Sequence, residues 1–116
     1  MDTFPVDLNK GPDGLGLRII GMGLSANSGI QKLGIMVKSI KPGGSAEKDN
    51  RIHVYDQIIE VNGNSFVGVT LSYAATVLRN TSGVVNFVIG RGKDPNNSEV
   101  AKLIRQSLQV IIKLLF

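Results

Sequence analysis

The chain has 116 residues, 13 of them Lys or Arg against nine Asp or Glu, for a net charge of +4 and a pI near 9.6. Hydrophobic residues make up 42% and cysteine is absent, which suits one domain with a real core and excludes disulfides and thiolate metal sites, the pattern of a reducing compartment. The basic excess is local. From Gly90 onward five basic residues face two acidic ones, so that end carries +3 of the total and the rest is near neutral. Aromatics are 5% and do not interleave with basic residues, so a nucleic-acid stacking platform is not expected.

The opening residues "MDTFPVDLNK" are mixed and acidic, so no signal peptide is expected there. Within them "TFPVDL" predicts a first strand, with Phe4, Val6 and Leu8 alternating against polar neighbours. "GLGLRII" predicts a glycine turn entering a second strand, Leu17 to Met22, and "GLSANSG" (23–29) is too rich in turn formers for regular structure. "GIMVKSI" predicts a third strand, stopped by "KPGG" at 41–44, and "SAEKDN" one short helical turn capped by Ser45. "DQIIEVNG" predicts a strand closed by the Asn62-Gly63 turn, with a brief strand in "NSFVG". "TLSYAATVLRNTSG" has a Thr70 N-cap, apolar residues at helical spacing and Gly83 as a stop. "VVNFVIG" predicts the last strand, "RGKDPNNS" a polar linker, and "SEVAKLIRQSLQVIIKLLF" a tail helix. The expected class is mostly β with α, a small partly open β-barrel with a helix over one flank.

The stretch "KGPDGLGLRII", Lys10 to Ile20, places three glycines after a lysine and before an apolar run. Such loops let backbone amides converge on an anion. A nucleotide is one candidate, because "GMGLSA" (21–26) matches the dinucleotide pattern G-x-G-x-x-G/A. That pattern needs a helix starting at the loop, and "SANSG" will not start one; no Walker lysine-serine pair follows any glycine run. Catalysis has no better support. His53, the single histidine, alternates with Ile52 and Val54, as on the solvent side of an extended segment. Asp49, Asp56 and Glu60 read as turn or surface groups, and no nucleophile elbow or helical H-x-x-x-H occurs. No enzyme activity, metal or cofactor is expected.

A carboxylate is the remaining anion. Lys10, three intervening residues and then "GLGL" resemble the carboxylate-binding loop of PDZ domains, and "KPGGSAEKDNRI", "DQIIEVNG" and "TLSYAATVLRN" follow in that family's order. The resemblance covers roughly residues 4 to 91. It implies a five- to six-stranded sandwich with one long and one short helix, plus a C-terminal helix in this chain. It implies a non-enzymatic module that binds the C-terminal tails of other proteins by strand addition. The amides of Leu15, Gly16 and Leu17 would hold the carboxylate, with Lys10 adding attraction. The peptide would run antiparallel along the open edge of the Leu17–Met22 strand, in a groove formed by Arg18, Ile19, Ile20, Leu71, Ala74, Ala75 and Leu78. PDZ domains preferring Ser or Thr third from the ligand's end usually carry histidine where this chain has Leu71. A hydroxyl there would be desolvated unpaired at a cost of roughly 1–3 kcal/mol, so hydrophobic-x-hydrophobic-COOH tails are expected. Leu17 stands where Phe is common, and Asn50 and Tyr55 where many PDZ domains have glycine. Tyr55 is the poorer fit to positive φ.

"FPVDL", "IIGMG", "LGIMVKSI", "GVTLSYAATVLRNT", "FVIGR" and "SEVAKLI" further resemble the neurabin and spinophilin scaffolds, as does the "GLSANSGIQKL" insertion. That likeness implies a cytoplasmic scaffold associated with the cytoskeleton, cell junctions or synapses. Full-length members bind actin and protein phosphatase 1 through regions that this sequence does not include. The expected organisation is a PDZ-like domain over 1–91, a linker over 92–97 and a helical extension over 98–116. Membrane insertion is not expected, since "VIIKLLF" is far shorter than the ~20 residues of a spanning helix. Leu114-Leu115-Phe116 itself has the hydrophobic-x-hydrophobic form, which suggests self-association through this tail docking in another copy's groove.

Overall fold

The structure, a computed structural model, describes residues 2–22, 25–26, 29–30, 34–92 and 114–115. The chain runs β1 (Asp2–Asn9), β2 (Leu17–Met22), β3 (Ser25–Ala26), β4 (Gly29–Ile30), β5 (Gly34–Ile40), α1 (Ser45–Asp49), β6 (Gln57–Val61), β7 (Asn64–Ser65), α2 (Leu71–Arg79), β8 (Val84–Arg91) and β9 (Leu114–Leu115). One antiparallel sheet has the order β1-β8-β6-β5-β2-β9, with β7 attached to β6. Among the described residues this sheet carries two short helices and is not a closed barrel. Pro5 is tolerated because β1 is an edge strand, paired with β8 alone (Pro5 opposite Val88). The Asn62-Gly63 turn adopts φ of 49° and 80°, the primed geometry that matches strand twist.

The alternation in β1 and the helical spacing in α2 both bury their apolar faces. Val6, Leu8, Leu17, Ile19, Leu78 and Phe87 belong to one contiguous core between the sheet and α2. The Thr70 hydroxyl accepts from the Tyr73 N–H at 3.1 Å, capping α2 as the sequence predicts. Its last residue is Arg79 and its C-cap Asn80, with Gly83 in the left-handed region (φ 64°) beyond that end. The Lys10 ammonium bonds to the carbonyls of Leu78 and Arg79 at this end.

Four expectations are corrected. Ser45 is inside α1, and the N-cap is Gly44, with no side-chain cap. The insertion is not wholly irregular, since β3 and β4 pair as a short ribbon (Ser25 opposite Ile30, Ala26 opposite Gly29). The tail is not helical at its end: residues 114–115 are strand, while the rest of the predicted helix and residues 93–97 of the linker lie outside the described residues. The edge of β2 is not open either. β9 pairs antiparallel with it in the same chain, Arg18 opposite Leu115 and Ile19 opposite Leu114. The described tail residues thus lie on the chain's own β2 edge.

Candidate functional site

The glycine stretch folds into a tight loop ahead of β2. Gly11 and Gly14 exchange N–H···O bonds of 3.0 Å, and Gly14 and Gly16 take φ of 93° and 77°, angles that a side chain resists. The loop carbonyls are tied to the body of the protein. The Ala46 N–H donates to the Leu15 carbonyl at 3.1 Å, and the Lys41 N–H to the Gly16 carbonyl at 2.9 Å. Gly16 is buried so closely that a Cβ there would stand 3.1 Å from the Gly44 Cα. Among the described residues, no acceptor meets the N–H of Leu15 or Gly16. Unmet backbone donors are costly unless water or a ligand completes them.

Beside this loop, Leu15, Leu17, Ile19, Ala74, Ala75 and Leu78 are buried, and Leu71 is half-buried against them. β2 and the start of α2 come close together: a Cβ on Gly21 would stand 3.3 Å from the Leu71 Cβ. Leu71 therefore flanks the β2 side of the helix. Arg18 and Ile20 alternate with Ile19 and face away from it. Arg18 is exposed, whereas Ile20 is buried outside the main core cluster.

Lys10 has a role that its spacing did not reveal. Its Nζ donates to the carbonyls of Leu78 (3.1 Å), Arg79 (3.2 Å) and Thr81 (2.9 Å). The Thr81 hydroxyl donates to the Leu78 carbonyl as well. These contacts terminate α2 and place a cation at the negative end of its dipole. All three ammonium protons are engaged. Any attraction by Lys10 for a carboxylate at the loop then acts through space, without a direct bond in this arrangement.

A second charged site lies elsewhere. Asp56, read from sequence as a turn or surface group, is 1% exposed. It accepts from Arg91 Nε at 2.8 Å and Nη2 at 2.7 Å, and from the His53 N–H at 2.7 Å. Hydrogen bonding by Asp56 raises the Arg91 pKa, and the guanidinium lies 4.9 Å from the centre of the Phe4 ring. Tyr55, just before Asp56, takes φ of 74° and Asn50 takes 67°, so both fill left-handed positions where glycine was expected. His53 is exposed, in line with its alternation. At the surface, Arg51 Nε pairs with Asp49 at 2.8 Å, and this hydrogen bond holds the Asp49 carboxyl below its ordinary value of 3.8. No described helix is long and apolar enough to cross a membrane.

The dinucleotide reading fails on geometry, because Ser25–Ala26 are extended where that pattern requires a helix. A glycine loop opening an edge-side strand, with a helix laid alongside, instead defines a small protein-interaction module. The chain belongs to the PDZ domain family, whose model matches residues 6–90. It is 54% identical over 109 residues to Neurabin-2 of mouse (Mus musculus) and of human (Homo sapiens), an alignment covering 94% of this chain and 13% of each relative. It is 39% identical over 98 residues to human Tyrosine-protein phosphatase non-receptor type 13, covering 84% of this chain and 4% of that protein. Rat (Rattus norvegicus) Multiple PDZ domain protein matches at 42% over 84 residues, or 72% of this chain and 4% of the relative. The chain therefore spans a small part of each of these relatives.

Proposed function

We propose that the β2–α2 groove binds the free C-terminus of partner proteins by adding the partner's end as a strand to β2. The N–H groups of residues 15–17 would take the carboxylate, and the helix side would take alternate side chains. The observation that carries this reading is β9: β2 already accepts an antiparallel segment of hydrophobic residues over Arg18 and Ile19. Continuing that register by one step brings an added strand's next residue opposite Leu17, beside the loop amides. The residue opposite Ile19 shares the Ile19 face, which Leu71 flanks. That arrangement favours tails of the form hydrophobic-x-hydrophobic-COOH. A partner must displace residues 114–115 from the edge, so the affinity of the chain is lower than that of an empty groove.

In this reading the chain is a non-enzymatic adaptor within a neurabin-like scaffold of the cytoskeleton, cell junctions or synapses. Actin and protein phosphatase 1 would be engaged by other parts of such a scaffold. Fluorescence anisotropy tests the reading, using a labelled peptide ending Leu-Leu-Phe as free acid and as amide. The free acid binds, and amidation weakens binding at least about tenfold, since a charge-assisted hydrogen bond contributes roughly 1.5–3 kcal/mol. Equal affinities, or binding of a nucleotide at the loop in place of the peptide, would refute it.

A further inference from the structure

Beyond the β2–α2 groove, the other side of β2 carries a charged concavity. Arg18 lines a surface cleft of about 340 Å³ with Ser39, Ile40, Lys41 and Pro42. Arg18 and Lys41 are exposed. Among the described residues neither side chain makes a hydrogen bond or an ion pair. Lys10 is engaged on α2, Arg51 on Asp49 and Arg91 on Asp56, while Lys38 and Lys48, like Arg18 and Lys41, show no side-chain partner among the described residues. Two cations without a partner among the described residues thus share one concavity, which Ser39 also lines.

The register fixes which part of a bound strand meets this cleft. The residue opposite Arg18 is Leu115, and residues directly opposite in an antiparallel pair lie on the same face of the sheet. If the last residue of a tail lies opposite Leu17, the one before it lies opposite Arg18. We infer that this cleft selects an acidic side chain at the penultimate position of the bound tail. The inference rests on the strand-addition reading above. A guanidinium can hold a carboxylate through two parallel bonds, with Lys41 adding a second positive charge. The chain's own residue at this position is leucine, so an acidic partner has an advantage over the tail it must displace.

Three labelled peptides with free carboxylates, ending Leu-Glu-Phe, Leu-Leu-Phe and Leu-Lys-Phe, are titrated with the full 116-residue chain and with its Arg18→Glu and Lys41→Glu variants. The unaltered chain binds in the order Glu, Leu, Lys, each step about threefold, the size of an exposed ion pair. Arg18→Glu reverses the order, and Lys41→Glu compresses it. The steps flatten near 1 M salt, where the Debye length is about 3 Å. Equal binding of all three peptides, or an unchanged order in both variants, overturns the inference and leaves the groove reading intact. Failure of every free-acid peptide to bind overturns both.

Discussion

The Asp56 site and the glycine loop both depend on left-handed backbone, yet they treat their polar groups in opposite ways. Tyr55 leads into a carboxylate that is buried and holds three donors, two of them from one guanidinium. At the loop, Gly14 and Gly16 turn the chain so that its carbonyls are bonded inward, while the Leu15 and Gly16 donors meet no acceptor among the described residues. A saturated buried charge fixes the fold, because nothing is left for a ligand to satisfy. Unmet donors beside an apolar groove are what a partner's carboxylate can complete.

The largest predicted effect falls on the saturated side. Asp56→Ala leaves Arg91 and the His53 N–H without their acceptor and destabilises the fold by about 3 kcal/mol. That figure is the low end for a broken buried pair, because the Arg91 side chain is 25% exposed. Urea unfolding measures it, and peptide affinity among the folded molecules should stay unchanged. On the other side, Gly16→Ala costs about 1–2 kcal/mol for its positive φ. Its Cβ also meets Gly44, so the loop shifts and peptide binding falls at least about tenfold. A loss of stability with intact binding would separate the loop from the ligand.

Leu71→His sharpens the comparison without disturbing either backbone. Giving a ligand hydroxyl a partner should move preference toward Ser or Thr third from the end, by up to roughly tenfold. A peptide array that shows no movement removes Leu71 from specificity. The smallest effect is Lys10→Met. Loss of the cation at the α2 C-terminus lowers stability by about 1 kcal/mol, and peptide affinity changes less than in Gly16→Ala. If Lys10→Met abolishes binding while leaving stability alone, the lysine serves the ligand and not the helix.

Much of the architecture was legible because it is local. Strand alternation in β1, the Leu17–Met22 strand, the Thr70 cap and the Asn62-Gly63 turn each arise from neighbouring residues, and the structure keeps them. The loop and the apolar stripe of α2 were legible too, by resemblance and by helical spacing. The misses share a different origin. The role of Lys10 at the end of α2 depends on Leu78, 68 residues away. The burial of Asp56 is set by Arg91, 35 residues away. The strand at Leu114–Leu115 exists only through its pairing with β2. Periodicity cannot report a partner so distant in sequence. Hydrophobic residues at the tail suited a helix equally well.

The most direct measurement follows the amide N–H resonances of Leu15, Gly16 and Leu17 while a Leu-Leu-Phe peptide with a free carboxylate is added. These resonances should shift together and saturate with the peptide, and the amidated peptide should leave them nearly still. Peptide binding with those three signals unmoved would contradict the account.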